Sequence, residues 1–141
     1  SEVDRLAMVA ALAAGILDVI SSMHTPQDEE SKRLPFERAA SGAVALETLL
    51  PAALRLYHAD QLSLPQLFRA MSLNPAKLLG LPGGSLAQGA PADLILFDPD
   101  TPFVLDRFKL HSKSKNTPFD GQRMQGQVLA TFVHGQKVYQ R

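Results

Sequence analysis

The apolar positions of this 141-residue chain change their spacing along its length. Val3, Leu6, Ala7, Ala10 and Ala13 recur at helical intervals, so residues 3–14 are predicted to form an amphipathic helix closed by Gly15. Residues 16–22 follow as a compact apolar run rich in β-branched side chains and read as a buried strand. The run ends at Ser21-Ser22-Met23-His24-Thr25-Pro26-Gln27, where Pro26 stops a simple ladder. A helix, a Gly and a buried strand form an αβ unit and point to a parallel sheet.

Residues 24–35 read as a polar loop or short helical turn, with Asp28, Glu29, Glu30, Lys32 and Arg33 as a solvated charge run. The stripe Leu46, Leu49, Leu50, Ala53, Leu54 and Tyr57 predicts the strongest helix, starting near Thr48 with Pro51 in its first turn. Ser63 and Gln66 match a capping box for a helix over 63–71. Asn74-Pro75 is expected to cap a third, ending at Gly80. Beyond Leu81-Pro82-Gly83-Gly84 the pattern turns to strands, at Leu94–Phe97, at Phe103–Leu105 and on both sides of His134-Gly135-Gln136, a hairpin signal. Between them residues 107–126 form a long polar stretch of the kind usually functional or docked. A boundary near residue 80 separates an α/β part from a small β part.

Composition narrows the function classes. Fourteen basic and fourteen acidic residues cancel, which gives no footprint for nucleic acid or an anionic membrane surface. The apolar run 6–20 is broken by Gly15 and Asp18 and is too short to span a bilayer. With no cysteine there are no disulfides, thiolate metal sites or thiol nucleophile, which is compatible with a cytoplasmic protein. The chain opens in helix-like sequence without an initiator Met, as a piece of a longer protein would. His24, His58, His111 and His134 are not paired at ligand spacing; His58, at a helix end, and His134, at a hairpin tip, read as surface groups. No phosphate loop and no nucleophile elbow is present.

Several segments together resemble one family: residues 16–27, Ser41-Gly42-Ala43-Val44-Ala45-Leu46-Glu47-Thr48, Asn74-Pro75-Ala76, Gly89-Ala90-Pro91-Ala92-Asp93-Leu94 and Ser114-Lys115-Asn116-Thr117-Pro118-Phe119. In order and spacing they resemble the C-terminal portion of a dihydroorotase of the amidohydrolase superfamily, a cyclic amidohydrolase. The resemblance implies an α/β chain made of the C-terminal fragment of a (β/α)8 TIM-type barrel followed by part of a small β-sandwich. Residues 1–80 would supply the last helix-strand-helix units, and 81–141 the sandwich segment with a long loop docking on the barrel. A whole barrel takes about 250 residues, more than this chain has.

The implied reaction is the reversible cyclisation of N-carbamoyl-aspartate to dihydroorotate in pyrimidine biosynthesis. Zinc in the complete family enzyme polarises the amide and supplies hydroxide. The family's metal-ligating His-x-His pair, further His ligands and bridging lysine all lie upstream of this chain, so no metal is expected on it alone. One catalytic group is expected here, an Asp at the tip of the eighth strand acting as general acid/base, and Met23 occupies that position. A thioether carries no proton and is a poor zinc ligand. Gln27 matches a substrate-contacting position, and Ser41 and Gly42 match the backbone segment that contacts the dihydroorotate ring. These expectations describe an enzyme part that needs an N-terminal barrel part or a homo-oligomer. The competing reading is a catalytically inactive homologue serving as structural partner in a pyrimidine-pathway complex.

Overall fold

The computed structural model describes residues 1–141, a mixed α/β chain. Helix α1 spans Glu2–Ala13. It opens on a capping box between Ser1 and Asp4. It closes on Gly15 at φ +72°, with Gly15 N–H on the Leu12 carbonyl and Ile16 N–H on that of Ala11. That pairing is a Schellman stop, for which Gly is suited because it enters the left-handed region without a Cβ penalty.

The strand expected over 16–22 does not form. The segment has no ladder, and its neighbours are helical: Ile20 N–H donates to the Ala70 carbonyl (3.0 Å) and Asn74 Nδ2 to the Asp18 carbonyl (2.8 Å). A strand exists only beside another, and no extended segment of this chain runs along 16–22. The first sheet-like contact comes later, as an isolated parallel bridge between His24 and Ala43.

Asp28 caps the short helix α2, Glu29–Lys32. Helix α3 is Leu49–His58, with Thr48 at its N-cap and Pro51 in the first turn as expected. Leu46 lies outside it and is exposed, so the apolar stripe begins one turn later than its spacing suggests. Helix α4, Leu64–Phe68, opens on the Ser63–Gln66 capping box. It runs through a π-helical turn, Arg69–Leu73, into α5, Asn74–Leu78, without a break. Asn74 is therefore not a cap. Its backbone is helical, and its side chain is spent on Asp18.

Strands β1 (Leu94–Val104), β2 (Arg123–Val133) and β3 (Gln136–Gln140) form an antiparallel sheet in that order. The two strands expected at 94–97 and 103–105 are one strand whose register slips between Asp98 and Pro102. There Asp98 accepts from Thr101 Oγ1 (2.6 Å) and from the amides of Asp100 and Thr101. The Thr101 hydroxyl, then the Asp100 amide, holds the Asp98 carboxyl below the usual carboxylate range. The β2–β3 hairpin turns on His134-Gly135, both at positive φ, as a two-residue type I′ turn requires.

The core sits where α3 and α4 meet the sheet. Leu54 and Leu67 are fully buried, joined by Ala53 and Leu62 and flanked by Ile20, Leu12 and Phe97. Phe68 and Phe97 pack with tilted rings 5.1 Å apart. Leu54 fills the space above Gly126 of β2: a Cβ there would fall 2.2 Å from Leu54 Cδ1. Helix α1 has no buried residue, and Val3 and Met8 on it are exposed.

Candidate functional site

Residue 23 stands at the end of the 16–22 segment, and the backbone there is unusual. Met23 has φ +45°, one of three non-glycine residues in the left-handed region. Its side chain is 76% exposed. The turn is closed locally: Met23 N–H approaches Ser21 Oγ (3.4 Å), and the Met23 carbonyl accepts from Thr25 Oγ1 (3.0 Å).

The next two residues reach across to 41–46. Thr25 N–H donates to the Ala43 carbonyl at 2.9 Å. His24 Nδ1 accepts from the amides of Ala45 (3.0 Å) and Leu46 (3.2 Å). Gly42 lies so close to Thr25 that a Cβ would stand 2.6 Å from the Thr25 carbonyl oxygen, and its φ is +121°. Close backbone approach and a left-handed conformation together account for glycine at this position.

Gln27 and Ser41, 14 positions apart, are brought together: Gln27 Nε2 donates to the Ser41 carbonyl at 3.0 Å. The 107–126 stretch completes the junction through Asn116. Its Oδ1 accepts the Gln27 amide (3.1 Å), its Nδ2 donates to the Gly42 carbonyl (3.1 Å), and its own carbonyl accepts Val44 N–H (2.9 Å). Lys32 Nζ donates to the Ala40 carbonyl (2.7 Å). Glu47 anchors the same stretch from below, accepting the amides of His111 (2.9 Å) and Ser112 (3.3 Å). Lys115 Nζ ties the loop to itself through the carbonyls of Leu110 and Ser112.

Gln27, Ser41 and Gly42 thus share one polar junction, and Met23 leads into it through Thr25. Asn116, His24 and Glu47 hold it, and reading residue types at catalytic spacing gave none of them these roles. The Ser-Lys-Asn-Thr-Pro-Phe run was a signal for Asn116, but as a family motif, without a mechanism attached. The amide N–H groups of Ser41 and Gly42 have no acceptor within the chain.

No three His, Cys, Asp or Glu side chains converge on one point, and His24 Nδ1 is already spent on two amides. These residues do not fit a zinc cage. His58 lies apart from the junction and is half-buried, with its Nε2 3.0 Å from the Pro99 carbonyl. An open groove of about 540 Å³ between α1, residues 17–22 and α3 is lined mainly by aliphatic groups such as Met8, Leu12, Val19 and Leu56. It meets the junction at Ser21, Ser22 and Ala45.

The family model for the amidohydrolase family matches residues 1–138. The chain belongs to the amidohydrolase family. Among curated amidohydrolase relatives, a dihydroorotase from Wolbachia sp. subsp. Drosophila simulans (strain wRi) is 42% identical over 139 residues, which is 99% of this chain and 32% of the relative. A dihydroorotase from Pelobacter propionicus is 45% identical over 138 residues, 98% of this chain and 32% of the relative. Among solved amidohydrolase-type structures, the L-hydantoinase (dihydropyrimidinase) from Arthrobacter aurescens superposes with a TM-score of 0.89 at 33% identity, covering 94% of this chain and 31% of that one. The chain therefore spans about a third of the length of the curated relatives it matches. No helix is long and apolar enough to cross a membrane.

Proposed function

We propose that this chain is the C-terminal part of a dihydroorotase-like amidohydrolase that binds dihydroorotate or N-carbamoyl-aspartate in the cytoplasm. Residues 1–80 supply the last units of a (β/α)8 barrel, and residues 81–141 supply a β-sandwich segment whose 107–126 loop docks on the barrel part. The observation that supports this reading is the Asn116 amide, which joins Gln27 to Gly42, two of the positions the resemblance implies for substrate contact. The free amides of Ser41 and Gly42 suit a ring carbonyl, and Gln27 keeps one Nε2 hydrogen for a carboxylate. Zinc and its ligands belong to parts of the protein outside these residues.

Surface area supports a large further contact. The chain exposes 9710 Å². A compact monomer of 15.3 kDa exposes about 7,100 Å². The excess, roughly 2,600 Å², is about three times what a standard interface removes from one partner. The remaining barrel, or a second copy, is the occupant that fits the bare face of α1 and the aliphatic groove.

Met23 favours a second reading, a homologue that binds without turnover, because its thioether cannot move a proton. The test is Met23→Asp in the complete, zinc-loaded protein. A carboxylate at this tip is expected to raise dihydroorotate hydrolysis by about 10²-fold or more, the usual worth of a general acid/base. Wild-type protein that binds dihydroorotate, with no gain on substitution, supports the non-catalytic reading. Absence of dihydroorotate binding in both forms overturns the substrate assignment.

A further inference from the structure

His24 is the only side chain of the 23–25 tip that bonds into the 43–46 backbone, and it does so with an unprotonated nitrogen. Both the Ala45 and Leu46 amides point at Nδ1. An amide N–H donates only to a lone pair, so Nδ1 carries no proton and Nε2 does. The ring is anchored at its own backbone by the bridge to Ala43 and by His24 N–H on Ser22 Oγ (3.3 Å). The imidazole therefore ties the residue-23 tip to the turn that leads from Gly42 into α3, beside the Thr25–Ala43 backbone bond. Asn116 spans the same turn from the other side, through Gly42 and Val44.

We propose that His24 is a positioning residue: held as the neutral Nε2–H tautomer, it gathers the Ala45 and Leu46 amides and thereby fixes the Ser41–Gly42 backbone donors relative to residue 23. It does not touch the ligand in this role. Its effect on binding runs through the loop, and that part of the inference rests on the dihydroorotate reading above. Asn can replace the acceptor, because its Oδ1 sits at nearly the same reach from the backbone as Nδ1. Ala and Leu cannot.

The experiment uses the complete protein as wild type, His24→Asn, His24→Ala and His24→Leu. Nitrogen NMR with labelled histidine reports the tautomer, the His24 signals being those lost in His24→Asn. Hydrogen exchange over residues 43–47 reports the two amides, and titration calorimetry with dihydroorotate reports affinity per folded protein. Wild type is expected to show a bare Nδ1 and a protonated Nε2. His24→Ala and His24→Leu are expected to exchange at least about tenfold faster over 43–47 and to bind about tenfold more weakly, as the loss of a part-buried acceptor shared by two amides implies. His24→Asn is expected to keep both within about threefold of wild type.

A protonated Nδ1 in wild type overturns the proposal. So does unchanged exchange over 43–47 in His24→Ala, or equal loss of affinity in His24→Asn and His24→Ala. If His24→Ala and His24→Leu do not fold, the tautomer and the His24→Asn arm decide. If wild type itself does not bind dihydroorotate, the substrate assignment falls, and the tautomer and exchange readouts alone decide whether His24 positions the loop.

Discussion

The contact between α3 and β2 and the junction around residue 23 are both close approaches to a glycine, yet they are built by different forces. At the first, Leu54 occupies the space that a side chain on Gly126 would need, and the fit is one of volume among aliphatic groups. At the second, Gly42 meets Thr25 backbone to backbone, and the fit is held by directional bonds from His24, Asn116 and Gln27. Burial of Leu54 and Leu67 supplies free energy in proportion to area and tolerates small shifts. The junction also buries Val44, but its close approach is set by directional bonds and contributes geometry. Substitution in the first region should therefore reduce stability with little change in ligand affinity, and substitution in the second should cost less stability and loosen the local geometry.

The strongest way to break this contrast is at Leu54. Leu54→Ala removes a fully buried side chain and is expected to cost about 2–5 kcal/mol in denaturant unfolding. Gly126→Ala places a methyl on Leu54 and is expected to cost about 1–3 kcal/mol by overpacking, with added strain from φ +99°. The double variant is the sharper measurement. Its new methyl enters the cavity left by Leu54, so its loss should be smaller than the two single losses together. Strict additivity would show that the two residues do not share one space.

Asn116 tests the other region at smaller cost. Asn116→Ala leaves the Gln27 amide unpaired and the Gly42 carbonyl with only the longer bond from Lys32 Nζ (3.4 Å), for about 1–3 kcal/mol if the site stays dry and less if water reaches it. Asn116→Asp separates the two bonds, since a carboxylate still accepts from Gln27 but has nothing to donate to Gly42. Hydrogen exchange at Gln27 is expected to rise in the Ala variant and to stay near wild type in the Asp variant. Faster exchange at Gln27 in both would mean that the loop is held by its backbone bond to Val44 and not by the side-chain amide.

The sequence carried the features whose causes are local. The His134-Gly135 turn, the Ser63–Gln66 cap and Pro51 in the first turn of α3 each follow from the chemistry of a few adjacent residues. It misled where the partner is distant. Residues 16–22 have a strand's composition, but a ladder needs a neighbour, and here the neighbours are helices. Asn74-Pro75 has the chemistry of a helix start, yet the preceding π-helical turn carries the helix through it and Asn74 reaches 56 positions back to Asp18. The site was half legible. Gln27, Ser41 and Gly42 were expected from the resemblance, while Asn116 acts across 89 positions, a pairing that no local pattern encodes.

The smallest expected effect lies at residue 23, and it bears most directly on how the junction works. Met23 holds φ +45° although a side chain with a Cβ is strained there by about 1–2 kcal/mol, and its exposed thioether has little packing to offset this. The surrounding bonds therefore impose the backbone and the side chain follows. Met23→Asn should relieve part of the strain without the unfolded-state entropy of Gly, raising stability by about 0.5–1 kcal/mol. Met23→Val should lower stability by about 1 kcal/mol, because a β-branched residue tolerates this region worst. If Val proves as stable as Asn in thermal unfolding, the left-handed turn follows the residue and is not imposed on it. If the order Asn, Met, Val holds, the frame is independent of what occupies it, and an Asp placed at position 23 would stand on the same backbone that Met23 occupies now.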